Sequence, residues 1–322
     1  MRHIVSALCA VLAALLAAAS LAGAQVDQLL RDEEPVRAIA GDLPEQDGFS
    51  DAVTAVLIEE LTGGDADALP SGVAEPFSGV ASSLLRDDRT VDAWDESLQN
   101  TREDFAHQLE VLFHEGGSGT PEDLRVSLDL SPVTEAMAEP LRDSLDSLLG
   151  WLPIVDDSTF DDLAPEVVID VDAVAEDGVD PYQWATVAEV SGHWQVLAGL
   201  AGALGLVSLL LGVGSGRWVS LTLGGIIAAG VGTWVALTLA SPDLSPAQPV
   251  PGAAGAILEH AEEQFSAWAQ PSWWIFVVCA AAVVLIGLLG AALTGGGRAR
   301  SPRNSGQRPL RSSVGHDDLH RV

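Results

Sequence analysis

The chain has 322 residues, of which 48% are hydrophobic, yet it carries a formal net charge of −31. A single water-soluble domain does not combine a positive mean hydropathy with so large a charge, so apolar and charged residues must occupy separate segments. The only cysteines, Cys9 and Cys279, both lie in apolar segments. The charged part of the chain therefore has no disulfide and no thiolate for catalysis or metal binding.

The first apolar segment, residues 4–21, is just long enough to cross a bilayer as a helix. It is followed by Ala22-Gly23-Ala24, which matches the pattern of a signal-peptidase site before Gln25. Residues 1–24 are therefore predicted to be either a cleaved signal peptide or a retained signal anchor, and the sequence leaves both open. A bulky leucine precedes Cys9 where a lipobox has a small residue, so lipid attachment is not expected.

Residues 25–193 form the acidic part of the chain, with 40 of the 46 acidic residues and 7 of the 15 arginines. Ser50 is predicted to cap a helix that ends at Gly63-Gly64, and a short helix is predicted over 73–86. The longest predicted helix runs from an N-cap at Thr90 to about His114. Its apolar residues recur at helical spacing: Val91, Trp94, Leu98, Phe105, Leu109 and Leu112.

Two segments of the acidic part, 124–130 and 167–171, alternate as strands do, and we expect them to pair with each other. Between them, Ser131-Pro132 is predicted to begin another helix. Asp180-Pro181 is predicted to begin a last helix that continues without a break into the membrane. The predicted fold class is a mainly α membrane protein with a small α+β extracytoplasmic domain.

Three later segments, 195–213, 218–240 and 273–293, each have the roughly 20 apolar residues that span a bilayer. With the N-terminal segment they make three certain spans and a fourth that is a signal or an anchor, within a membrane region over 194–294. The interiors of the three later segments contain no charged residue and only a few polar ones (Ser208, Ser220, Thr222, Thr233 and Cys279), which disfavours a transporter. Recurring glycine and alanine favour close packing between helices instead.

The segment 241–272 begins with a proline-rich linker and continues with an amphipathic pattern. One helical face carries apolar residues: Ala254, Ile257, Leu258, Ala261, Phe265 and Trp268. This short helix is predicted either to lie in the membrane interface or to dock on the acidic domain.

Arginine placement gives the orientation of the spans. Arg217 lies in a tight connection at 214–217, six arginines follow the last span, and the segment 241–272 contains none. The positive-inside rule then places 25–193 and 241–272 outside the cell membrane and both termini inside. The tail 295–322, rich in Gly, Ser, Pro and Arg, is predicted to be disordered and to suit anionic lipid headgroups.

Candidate metal ligands lie on the polar face of the long helix, at His107, Glu110 and His114, near Glu96 and Glu103. Histidines seven residues apart stand about 10 Å apart along a helix axis, which is too far for one zinc ion. The favoured interpretation is a solvated face of an acidic protein. The acidic residues between 156 and 180 lack the spacing of a calcium loop. No catalytic motif, and no cofactor-binding motif, is present in the sequence.

The order of these parts resembles uncharacterised integral membrane proteins of actinobacteria. The stretches that carry the resemblance are Val91-Asp92-Ala93-Trp94, Phe105-Ala106-His107, Val126-Ser127-Leu128-Asp129-Leu130-Ser131-Pro132, Leu152-Pro153 and Tyr182. The resemblance covers about 45–240 and implies an N-terminal span or signal, a helical extracytoplasmic domain and C-terminal spans. It implies no activity, and the extra outer loop and last span are less typical of it.

Together these features predict a non-catalytic cell-envelope membrane protein whose acidic extracytoplasmic domain binds or scaffolds a partner. The expected partners are membrane lipid and an envelope protein, a cell-wall component or cations, whereas nucleic acid is not expected. The alternative is a membrane-bound enzyme or an accessory subunit of a transport or envelope-biogenesis complex. The sequence does not give the oligomeric state.

Overall fold

The computed structural model describes residues 2–46, 49, 79–80, 83–114, 125–149, 166–170, 180–242 and 253–295. This part of the chain is mainly helical. Its helices are α1 (Arg2–Arg31), α2 (Glu33–Ala40), α3 (Asp88–His114), α4 (Ser131–Leu149), α5 (Pro181–Ser191), α6 (Trp194–Leu211), α7 (Gly216–Thr238) and α8 (Ala253–Gly295). Its strands are β1 (Arg125–Asp129) and β2 (Glu166–Asp170). The predicted helix at 50–63, most of that at 73–86 and the tail lie outside the described residues.

Among the described residues, four helices are long and apolar enough to cross a membrane: α1, α6, α7 and the part of α8 from His260. The predicted set of spans is therefore confirmed as far as length and composition go. Large apolar side chains on these helices are exposed, such as Ile4, Leu210 and Leu293 at 74%, 77% and 85%. Exposed apolar surface on this scale is expected where lipid is the solvent.

α1 is longer than predicted, because it continues from Arg2 through the Ala22-Gly23-Ala24 motif to Arg31. It packs along both α6 and α7. Residues on the two sides of the predicted processing site therefore belong to one continuous helix.

α8 is a single helix of 43 residues, where the sequence predicted an amphipathic helix followed by a separate span. Pro271 lies inside it, which the N-terminal end of a membrane segment tolerates. Its first part packs against α2, and His260 Nε2 lies 2.8 Å from Oδ1 of Asp42. This helix therefore contacts the acidic part, as one of its two predicted placements requires.

The core of the acidic part is built on the apolar face of α3. Trp94, 2% exposed, packs with Leu98, Leu128, Val133 and other apolar side chains. Its indole N–H donates to the carbonyl oxygen of Ala40 at 2.7 Å, so the buried polar atom of this side chain has a partner. The contact ties α3 to the end of α2.

The N-cap predicted for this long helix at Thr90 is wrong. α3 begins at Asp88, and the Asp87 carboxylate accepts a hydrogen bond from the backbone N–H of Arg89 at 3.1 Å. Thr90, at 2% exposed, lies within the first turn and packs in the interior. The Asp87 carboxylate, three residues before Thr90, takes the capping role, which aspartate fills as well as threonine does.

The predicted pairing of the two strands is present, since β1 and β2 run antiparallel with Arg125 opposite Asp170 and Asp129 opposite Glu166. They make up all of the sheet in the described ranges. α4 begins at Ser131 as predicted. At this start of the helix, the Asp129 carboxylate accepts a hydrogen bond from the backbone N–H of Ser131 at 2.8 Å.

The prediction of an unbroken helix from Pro181 into the membrane is wrong. α5 begins as expected, with the Asp180 carboxylate accepting from the Tyr182 backbone N–H at 3.0 Å, but it ends at Ser191. A turn at Gly192-His193 separates it from α6. The Arg31 guanidinium lies against Gly192, where a β-carbon would stand 3.2 Å from Nη2, so the turn is formed where α1 ends.

Candidate functional site

The acidic part joins the membrane helices where the end of α1 meets α3 and α5. Small side chains on α5, Ala185 and Ala188, pack on Leu109 and Leu112 of α3. Leu30 of α1 and Phe105 of α3 cover this cluster. Three helices from distant parts of the sequence therefore share one apolar contact at the membrane boundary.

Arg102 fixes α3 to the last turn of α1. Its side chain is only 9% exposed, and Nη1 donates to the carbonyl oxygen of Leu30 at 2.8 Å. Nε donates to Oε1 of Gln99 at 2.9 Å and Nη2 to Oε1 of Glu103 at 3.2 Å. The last carbonyl groups of a helix have no partners within the helix, and the Arg102 guanidinium provides a hydrogen-bond donor to one of them. Its positive charge also interacts favourably with the negative end of the helix dipole.

A polar cavity of about 490 Å³ opens beside Arg102, between the end of α1, α3 and α5. Charged and titratable side chains line it: Arg31, Arg102, Glu103, His107, Glu110 and Glu189. Arg31 is about half exposed and is paired with Asp27 of its own helix. We call this space the polar chamber.

The structure brings only part of the predicted metal site to this chamber. His107 and Glu110 line it, whereas His114 does not, and His114 Nδ1 lies 2.9 Å from the carbonyl oxygen of Glu110. All three side chains are exposed. Within the part of the chain that the structure describes, no three His, Cys, Asp or Glu residues are placed to hold a metal ion.

Two apolar cavities lie near the polar chamber, and the sequence did not predict them; only the first shares lining residues with the chamber. The first, about 280 Å³, lies between α1, α3 and α5, and it shares Leu30, Arg102, Leu109 and Ala188 with the chamber. The second, about 410 Å³, lies between α1, α5, α7 and α8 and shares Val26, Leu29 and Trp184 with the first. The sequence signal was present, because apolar residues continue at helical spacing in α1 beyond Ala24.

Polar side chains join the membrane helices at two depths. Near one end, Oγ of Ser6 lies 2.8 Å from the carbonyl oxygen of Ser208 and 3.0 Å from Oγ of Ser220, while Ser208 Oγ donates to the Ser6 carbonyl oxygen at 2.8 Å. Near the other end, Gln25 Nε2 donates to the carbonyl oxygen of Ala269 at 3.0 Å. These bonds connect α1 with α6, α7 and α8.

An ion pair joins α2 to α3 on the acidic part. Arg37 Nε lies 2.8 Å from Oδ1 of Asp95, and Nη2 lies 2.5 Å from Oδ2. The hydrogen bonds from this guanidinium lower the pKa of Asp95, against the smaller opposing effect of partial burial. The same carboxylate raises the pKa of Arg37.

Comparisons of the chain with protein-family models, curated proteins and solved structures gave no match. The resemblance to actinobacterial membrane proteins therefore stays a prediction. The described residues of this chain offer an acidic face, a polar chamber and apolar cavities between the acidic part and the apolar helices.

Proposed function

We propose that the chain is a non-catalytic cell-envelope membrane protein that binds or scaffolds a partner through an acidic extracytoplasmic domain. The observation that carries this proposal is the attachment of the acidic part to the membrane helices at separate places. α1 continues out of the bundle and contacts α3 and α5, while α8 reaches α2. A domain fixed in this way presents one surface to a partner at a constant orientation and height above the lipid.

The surface presented in this way is acidic along α3. Exposed carboxylates follow one another along the helix at Asp88, Asp92, Glu96, Glu103, Asp104 and Glu110. A continuous negative surface attracts a cationic partner and speeds the encounter with it. We therefore expect the partner to be a basic protein segment or an amine-bearing wall component.

The proposed topology places the acidic part outside and both termini in the cytoplasm. Its support is Arg217, which follows the tight turn between α6 and α7, where Gly214 adopts a φ of 61°. In a protein without Cys9 and Cys279, a cysteine at Glu96 should react with an impermeant maleimide on intact cells. A cysteine at Ser305 should react only after the membrane is opened, and its labelling from outside would reverse the orientation.

We further propose that α1 is a retained anchor and not a cleaved signal. Gly23 packs on α6 so closely that a β-carbon there would lie 3.3 Å from Cβ of Trp194. Cleavage after Ala24 would also remove Ser6, the hydroxyl that links α6 and α7. The purified protein should therefore have the full mass of 33.5 kDa, and a mature N-terminus at Gln25 would contradict the proposal.

Photo-crosslinking in living cells tests the partner-binding function. A photoreactive amino acid is placed at Asp92 or Glu96, on the exposed face of α3, and in a control at Leu210, which is 77% exposed on a membrane helix. We expect both outer positions to form the same adduct, identified by mass spectrometry, and the control to form only lipid adducts. If the outer positions form no adduct, or only those of the control, a binding function for this face is excluded.

A further inference from the structure

An apolar groove crosses the boundary between the membrane helices and the acidic part. We define the junction groove as the 410 Å³ cavity walled by Val26 and Leu29 of α1, Trp184 and Val187 of α5, and Phe265 and Trp268 of α8. Trp184 and Val187 are 45% and 48% exposed, so the groove is open at its side. Its lower wall includes Leu239, 58% exposed at the end of α7, so the groove continues into the lipid-facing surface of the bundle.

The depth of the groove identifies what can fill it. Trp268 and Trp273 line the groove, and tryptophan prefers the boundary between hydrocarbon and headgroups. At that level the molecules in contact with an open apolar surface are lipids, and covering it with hydrocarbon gains about 25 cal/mol per Å². The occupant that the surroundings supply is therefore an acyl chain.

The groove leads away from the membrane into the acidic part. Through Val26, Leu29 and Trp184 it adjoins the 280 Å³ cavity, which Leu98, Phe105 and Leu109 line from α3. That cavity in turn adjoins the polar chamber at Arg102. The polar chamber and the junction groove, at about 490 and 410 Å³, have the size of ligand sites, which fall between about 300 and 1,000 Å³. The apolar groove and cavity, followed by the polar chamber, match the order of the acyl chain and the headgroup of a lipid.

The side chains of the polar chamber select the headgroup. Arg102 already makes three hydrogen bonds, and Arg31 is paired with Asp27, so the positive charges are largely compensated within the protein. Three carboxylates, Glu103, Glu110 and Glu189, also line the chamber. An acidic lining of this kind favours an ammonium group.

From this geometry we propose that the junction binds one phospholipid with an ammonium-bearing headgroup, its acyl chain in the junction groove and its headgroup in the polar chamber. The site holds the lipid partly lifted out of the bilayer, against the acidic part. The proposal does not depend on which partner the face of α3 binds. It shares only Glu103 and Glu110 with that face, and the crosslinking positions Asp92 and Glu96 lie outside the chamber. A failure of the face-directed crosslinking would leave it intact.

The test uses the full-length protein in nanodiscs of phosphatidylglycerol that contain a small fraction of phosphatidylethanolamine with a diazirine at the end of its acyl chain. After irradiation and digestion, we expect the label on peptides that contain 22–30 and 183–187. Val187→Trp should fill the groove and lower this labelling at least fivefold. Val190→Trp is the matched control, since Val190 lies on the same helix with the same 48% exposure and lines none of the described cavities.

Label that is confined to the lipid-facing sides of α6 and α7, or that Val187→Trp and Val190→Trp change equally, would overturn the groove as a lipid site. Melting temperatures of both variants show whether they fold. If Val187→Trp does not fold, Ala22→Phe fills the same groove from α1, where Ala22 is exposed. Loss of label in Ala22→Phe then supports the proposal, and unchanged label overturns it.

A second labelling experiment tests the identity of the headgroup. A phosphatidylglycerol with the same diazirine chain should label the groove at least threefold less than the phosphatidylethanolamine probe. The double variant Glu110→Gln/Glu189→Gln should abolish this preference. Glu96→Gln, on an exposed part of α3 outside the chamber, should keep it. Equal labelling by the two probes in the unmodified protein would overturn the headgroup assignment.

Discussion

Trp273 donates its indole N–H to Oε1 of Gln25 at 2.7 Å, which joins the last membrane helix to the first across 248 positions of sequence. Gln25 is also the residue that would become the N-terminus after signal cleavage. Its side chain can contact α8 only while α1 keeps its position in the bundle. The bond makes the end of α1 part of the packing of the membrane helices.

Replacing Gln25 by methionine should destabilise the protein by about 1–3 kcal/mol, because the indole N–H of Trp273, a side chain only 2% exposed, would lose its acceptor. Gln25→Glu keeps the acceptor for Trp273 but loses the donor to the carbonyl oxygen of Ala269, so it should also be destabilising. Gln28→Met is the matched control, as Gln28 is exposed one turn further along α1. Unfolding of the full-length protein in detergent measures all three, and equal effects at positions 25 and 28 would contradict the assigned bond.

Removing the Ser6 hydroxyl should lower stability by about 0.5–1.5 kcal/mol, the range found for hydrogen bonds between membrane helices. Ser6 is fully buried, and its hydroxyl contacts two other helices. Ser20→Ala is the control on the same helix, because that hydroxyl donates only to Ala17 within α1, at 2.9 Å. Thermal unfolding in detergent should separate the two variants. If Ser20→Ala is as destabilising as Ser6→Ala, the bonds between helices contribute nothing measurable.

Changing both His107 and His114 to glutamine should leave stability within about 0.5 kcal/mol of the unmodified protein, as for other surface substitutions. Both side chains are exposed, and they do not meet in one site. Elemental analysis after equilibration with zinc and dialysis should find no stoichiometric metal in either protein. Zinc that is bound by the unmodified protein and lost in the double variant would restore these histidines as ligands.

Local patterns in the sequence were enough to predict the elements that depend on a single helix face or a single strand. The stripe that contains Trp94, Leu98 and Leu109 is buried as its spacing predicts, and four described helices are long and apolar enough to cross a membrane, as their composition predicts. The start of the helix did not follow from local sequence, because Asp87 and Thr90 are both good capping residues. In the structure Asp87 caps the helix and Thr90 is buried.

Features that depend on contacts between distant segments could not be predicted in this way. The turn at Gly192 forms where the guanidinium of Arg31 packs, some 160 residues earlier in the chain. The junction groove likewise needs Val26, Trp184 and Phe265 to come together. Periodicity shows that each of these residues lies on an apolar face, but it carries no information about which faces meet.

The ion pair between Arg37 and Asp95 should make stability depend on pH in the acid range. Because folding lowers the pKa of Asp95 below its ordinary value of 3.8, the stabilisation is fully present above about pH 4 and is lost as the pH falls through the lower folded-state pKa. Asp95→Asn should therefore melt at a lower temperature than the unmodified protein at neutral pH, and this difference should shrink below about pH 4. Asp92→Asn removes the same charge from an exposed position on the same helix, so it controls for relief of repulsion in this acidic protein. If the two variants have the same melting temperature at every pH, the Arg37–Asp95 pair does not stabilise the fold.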